Sequence, residues 1–163
     1  MMTSANTRDM ITLIEEDIAM KTRERWIDEA REEIYNLRVA GEAVTKKNVR
    51  DELETNCLDQ EIAEAVNAEG GLEEYLEALW SHIEKELSND ELETETNIAV
   101  MMEDGFTRNE AIASMKRGTT VYTDLEQMAA DFETTVDEIR AGNAEDLDLI
   151  VYDGIEYGIA ICH

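Results

Sequence analysis

The side chains best placed to do chemistry in this sequence are carboxylates. Between Asp51 and Asn97 stand sixteen acids and one base, Lys85. Glu69, Glu73, Glu77 and Glu84 recur at spacings of four and seven, Glu74 sits beside them, and Glu91, Glu93 and Glu95 follow. On a helix, carboxylates four residues apart repeat about every 6 Å along the axis, and each like-charged pair at that spacing is destabilising. A helix that served only as scaffold would intersperse lysines, and this one does not. Such a row suits the display of regular negative charge to a basic surface, not proton transfer at a single atom. The partner-binding candidates are therefore Glu69, Glu73, Glu74, Glu77, Glu84, Glu91, Glu93 and Glu95.

Other chemistries find little support. His82 has Leu79, not an acid, three residues before it, so the helical Glu-x-x-His metal pattern is missing. Asp146 and Asp148 hint at a calcium loop, but the glycine and closing glutamate of that loop are not at their positions. Neither Cys57 nor Cys162 has a histidine at a telling distance, since Cys162 next to His163 is adjacency only, and two thiols make no disulfide framework. There is no nucleophile elbow, phosphate-binding loop or dinucleotide fingerprint. No catalytic residue, metal ligand or cofactor is expected.

The acidic row needs helices to carry it. Leu72, Tyr75, Leu76, Leu79, Trp80, Ile83 and Leu87 form one apolar stripe at helical spacing, opposite Glu73, Glu74, Glu77 and Glu84. The spacing predicts further helices over Arg8–Met20, Arg23–Ala40, a short one from Thr45, Leu58–Ala68, Asp90–Glu103 and Arg108–Arg117. Gly41, Gly105 and Gly118 are placed to stop three of them. Lys46, Lys47 and Arg50 form the one basic cluster, and Asp51, Glu52 and Glu54 follow at once to neutralise it. The chain has no proline, which suits a mostly helical fold.

Charge is unevenly spread along the 163 residues. The net is −26, of which residues 1–50 hold nine bases and ten acids, and residues 51–163 hold five bases and thirty acids. Hydrophobic content of 43% is enough for a packed core, so the acidity does not imply disorder. No apolar run reaches the ~18 residues of a membrane span, and the first twenty residues lack a signal-peptide pattern. Solubility and a cytoplasmic location (host cytoplasm for a viral protein) are the expectation. A halophile's solvated surface is the competing explanation of the charge, opposed by its confinement to two-thirds of the chain.

The end of the chain changes character. Capping boxes at Thr123–Glu126 and Thr135–Glu138 open two short helices, and LDLIVYDGIEYGIAI reads as a β-hairpin turning at Asp153-Gly154. Leu125, Met128, Ala129, Phe132, Val136 and Ile139 resemble the core spacing of a helix-turn-helix, and the hairpin resembles a wing. Residues 119–163 hold eleven acids and one base, Arg140, whereas phosphate contacts need Lys or Arg. Direct nucleic-acid binding is therefore not expected.

The expected fold is mainly α: a helical domain of seven to eight helices with a C-terminal β-hairpin in a winged-helix-like segment. Residues 1–118 form the acidic helical part and 119–163 the winged-helix-like part packed on it, as two units or one continuous domain. The composition is similar to that of phage and plasmid DNA-mimic proteins that block restriction enzymes or CRISPR effectors. That similarity implies a non-enzymatic inhibitor whose partner is a basic nucleic-acid-binding protein or nuclease complex. An acidic adaptor or regulatory subunit that does not imitate DNA, and a winged-helix regulator, are the alternatives. No membrane partner is expected, and a homodimer is left open.

Overall fold

The computed structural model describes residues 24–56 and 60–162. The helix expected over Arg8–Met20, and the start of the next at Arg23, lie outside them. The first described helix, α1, covers 24–39. It is followed by α2 (Lys46–Asn56), α3 (Gln60–Ala68), α4 (Leu72–Glu86), α5 (Asn89–Glu103) and α6 (Arg108–Arg117). Then come β1 (Thr120–Tyr122), α7 (Leu125–Asp131), α8 (Val136–Arg140), β2 (Leu147–Tyr152) and β3 (Ile155–Ala160). The fold is mainly helical and ends in a small antiparallel sheet, as the sequence predicts.

The α4 stripe does what its spacing requires. Tyr75, Leu76, Leu79, Ile83 and Leu87 are buried against Trp26, Ala30, Ile34 and Leu37 of α1 and Val49 and Leu53 of α2. Trp26 packs at 5.2 Å from the Tyr75 ring and stacks on His82, which gives that histidine a place beside the core. Ser88 opens α5 with a full capping box, its hydroxyl accepting from the Glu91 N–H while the Glu91 carboxylate accepts from the Ser88 N–H. Four successive residues of α5, Ile98 to Met101, are buried, so this helix is covered on every side in its C-terminal half.

The hairpin forms as expected, with Tyr152 opposite Ile155 and positive φ at both Asp153 (50°) and Gly154 (77°), the type I′ pattern. Sequence reasoning missed β1, which adds to the hairpin and gives the strand order β1-β3-β2. With it, the connectivity α6-β1-α7-α8-β2-β3 is winged-helix-like. Three residues are a short run for any periodicity to reveal. The α7 cap also differs from the expected Thr123: Asp124 is the capping residue, accepting from the Glu126 and Gln127 N–H groups at 3.0 and 3.3 Å.

The sheet is covered on both faces. Leu147, Leu149 and Ala160 join Met128, Ala129 and Ile139 of α7 and α8, while Ile150, Tyr152, Tyr157 and Ile159 join Ile98–Met101 of α5 and Ala111 of α6. Gly158 lets α7 come close to β3, because a methyl group there would collide with the Met128 sulfur. Tyr152 also ties the sheet to the helical body, its hydroxyl lying 2.6 Å from that of Thr45 at the start of α2.

Candidate partner-binding surface

The structure divides the eight candidate glutamates into three groups. Glu74, Glu84, Glu91 and Glu93 are exposed, and Glu69 is half-buried. Among the described residues none of these five has a cationic partner. They sit on α4, on the first two turns of α5 and on the turn before α4. Of these elements α4 is anchored by its buried stripe of Tyr75, Leu76, Leu79 and Ile83.

Glu73 and Glu77 are exposed but neutralised. Arg50 donates to Glu73 at 2.6 Å, and Lys46 pairs with Glu77. The matching of 46 with 77 and 50 with 73 follows from α2 lying antiparallel along α4. Only Lys47 of the basic cluster pairs locally, with Asp51 at 2.9 Å. The expected neutralisation of that cluster by its own sequence neighbours thus holds for one base, and the other two reach across to α4. Exposed pairs of this kind add about 0–1 kcal/mol to stability, but they erase two charges from the acidic row.

Glu95 must be withdrawn from the partner-binding set. It is 3% exposed, and its carboxylate is used inside the protein. Arg108 donates to both its oxygens at 2.7 and 2.8 Å, the Val44 N–H donates at 2.8 Å, and Arg38 approaches at 3.4 Å. Burial pushes this carboxyl up, but the Arg108 and Val44 hydrogen bonds and the two guanidinium charges outweigh it and hold it below the usual range. The cluster joins α1, the 42–45 loop, α5 and α6, since Arg108 also donates to the Glu42 carbonyl at 2.9 Å. A sequence signal existed: Glu95 lies at helical spacing between Leu92 and Ile98–Ala99, within the apolar face.

On the winged-helix-like unit the side chains that would meet DNA are acidic or already engaged. Asp137 and Glu138 of α8 are exposed, Glu138 accepts from the Thr134 hydroxyl at 2.7 Å, and Arg140 pairs with Glu156 of β3 at 3.2 Å. An open cavity of ≈ 550 Å³ between α7, α8 and β3 is lined by Asp124, Glu126, Asp137 and Glu156 among others. The cluster Lys46, Lys47 and Arg50 borders a second groove, of ≈ 230 Å³, closed by Asp153 at the hairpin tip.

Ion pairs among the described residues engage six carboxylates, those of Asp51, Glu73, Glu77, Glu86, Glu95 and Glu156. The described residues hold thirty-five of the chain's forty acids. Among the described residues no group of three His, Cys, Asp or Glu side chains is arranged to hold a metal ion. Cys162 is half-buried, its N–H donating to the Thr119 hydroxyl at 2.8 Å, while Cys57 and His163 lie outside the described residues. No helix among the described residues is long and apolar enough to cross a membrane.

Comparison with protein-family models, with curated proteins and with solved structures finds no match for the chain.

Proposed function

We propose that this protein is a non-enzymatic inhibitor that mimics DNA and occupies the basic nucleic-acid groove of a DNA-binding protein, such as a restriction or CRISPR nuclease. The observation that carries this reading is the excess of exposed helical carboxylates without a cationic partner among the described residues, typified by Glu74, Glu84, Glu91 and Glu93 on α4 and α5. Negative charge fixed on a folded scaffold approaches a basic groove quickly and releases the counterions held there, so association is fast and salt-sensitive.

A second reading, an acidic adaptor that binds a basic protein without imitating DNA, is favoured by the pairing of Glu73 and Glu77 with Arg50 and Lys46. That pairing breaks the regular row on which phosphate imitation depends.

Affinity capture from the host lysate, repeated with the Glu84→Lys/Glu93→Lys variant, tests the proposal. A nucleic-acid-binding protein held by the wild type, released at about 0.5 M salt and lost from the variant, is the expected result. Equal capture by both forms would place the interface away from α4 and α5 and contradict the proposal.

A further inference from the structure

The two edges of the sheet are not alike. β1, at one edge, is three residues long, and so short a strand offers little to pair with. β2, at the other, is six residues long and pairs with β3 in unbroken register from Leu147 to Tyr152. It has no proline, no lysine and no bulge, the devices that commonly blunt an edge.

The ladder fixes which backbone groups of β2 point away from the sheet. In an antiparallel pair, alternate residues turn N–H and C=O toward the partner strand, and those between turn theirs away. The Ile161 N–H donates to the Asp146 carbonyl at 2.9 Å in the same register, so Asp148, Ile150 and Tyr152 face β3. The Leu147 N–H agrees with this phase, because it donates back to the Ala144 carbonyl at 3.4 Å and not into the sheet. Leu149 and Val151 thus present two N–H donors and two C=O acceptors outward. Among the described residues these groups have no hydrogen-bond partner.

The flanking side chains define what fits there. Strand side chains alternate between faces. Leu149 and Val151 share the α7–α8 side of Leu147, with Leu149 half-buried and Val151 58% exposed. Asp148 shares the other side with Ile150 and Tyr152, where α5 packs on β2. The last turn of α5 has no base, so the negative end of that helix is uncompensated. Glu145 and Asp146 precede the strand and Asp153 follows it, all three exposed. The bases nearby are engaged: Arg140 with Glu156, and Lys46, Lys47 and Arg50 with Glu77, Asp51 and Glu73.

We propose that the free edge of β2 takes an extended, basic segment of a partner protein as a fourth strand. Main-chain bonds to Leu149 and Val151 hold the segment, and alternate side chains set its chemistry. Apolar residues lie beside Leu149 and Val151, and Lys or Arg on the opposite face meets Asp148 and the acids at the strand ends. A second copy of this chain fits less well, since β2 has no base to offer Asp148 and both molecules carry a net charge of −26. The inference stands on the sheet edge and is independent of DNA mimicry by the helices.

The test adds a synthetic peptide of about nine residues, alternating valine and lysine, to the isotope-labelled full chain. The Leu149 and Val151 amides are followed by NMR and hydrogen exchange. Their protection should rise about tenfold or more with peptide, while the Asp148, Ile150 and Tyr152 amides, already in the ladder, change little. The same peptide N-methylated throughout keeps its charge but cannot donate, and it should bind about tenfold more weakly. Val151→Pro removes one outward donor and spares the ladder to β3, and it should weaken binding by a similar factor. Absence of binding, or binding that leaves the Leu149 and Val151 amides unchanged, would overturn the proposal. Equal binding of the N-methylated peptide would do the same, by showing that charge alone holds it. Protection that arises without peptide and grows with protein concentration would give the edge to a second copy and overturn the basic partner. The wild-type amides decide the matter even where Val151→Pro does not fold.

Discussion

Replacing Glu95 with alanine would strand two guanidinium groups and one backbone N–H. Removing one partner of a buried ion pair costs about 3–5 kcal/mol, because the remaining charge is left desolvated. Here the residual cost is moderated by solvent, since the Arg108 side chain is 16% exposed and that of Arg38 is 41% exposed. The unpaired Val44 N–H adds about 1 kcal/mol or more. The net expectation is a loss of about 3 kcal/mol, which for a chain of this size lowers Tm by about 6–12 °C. Thermal and urea unfolding followed by circular dichroism would measure it, with Glu91→Ala and Glu93→Ala as exposed controls expected within about 0.5 kcal/mol of wild type. A loss below about 1 kcal/mol in Glu95→Ala, or equal losses in the three variants, would refute the assignment of Glu95 to the interior.

Three further outcomes are expected. Glu33, on α1 and within Coulombic reach of Glu52 on α2, has a buried oxygen, Oε1, without a hydrogen-bond partner among the described residues. Burial, then Glu52, Glu29 and Glu32, push its carboxyl up to about 7. A carboxyl raised on folding stabilises the native state by holding a proton below the unfolded value of 4.5, and that contribution is lost as pH rises through about 7. Glu33→Gln should therefore be more stable than wild type above pH 7, with the difference shrinking as pH falls, as chemical unfolding at two pH values would show. Gly158→Ala should cost about 1–3 kcal/mol by forcing Met128 and α7 off the sheet, and an unchanged urea midpoint would count against the close approach. Far-UV circular dichroism should show a helical spectrum at low salt, whereas a coil below about 0.5 M would mark the acidity as halophilic adaptation.

The elements legible in the sequence are those whose signal is repeated along their length. The α4 stripe has seven apolar positions at one spacing, and the β2–β3 hairpin combines alternation with an Asp-Gly turn. Both appear in the structure where the pattern puts them. Elements specified by tertiary pairing were not legible: β1 is three residues long and exists because β3 offers it an edge. The acidic surface was only half legible for a related reason. Sequence shows that Glu73, Glu77 and Glu95 lie in an acid-rich run, but not that α2 would lie antiparallel to α4, nor that Arg108 would fold back onto α5. Charge counts along a chain treat every carboxylate as exposed, and the three-dimensional pairing decides which of them are.

The claim that the acidic surface substitutes for DNA is tested most directly by competition on one partner. Glu73 and Glu77 are poor positions for charge reversal, since lysines there would confront Arg50 and Lys46 and disturb the α2–α4 contact. Glu84 and Glu93 avoid this. Fluorescence anisotropy of the labelled protein bound to its nucleic-acid-binding partner would be followed as duplex DNA is added at about 150 mM salt, where close-range charge is still felt. DNA should displace the wild type completely and in proportion to its own affinity, and Glu84→Lys/Glu93→Lys should bind more weakly while keeping its helical spectrum. A ternary complex, with DNA and this protein on the partner together, would contradict the account.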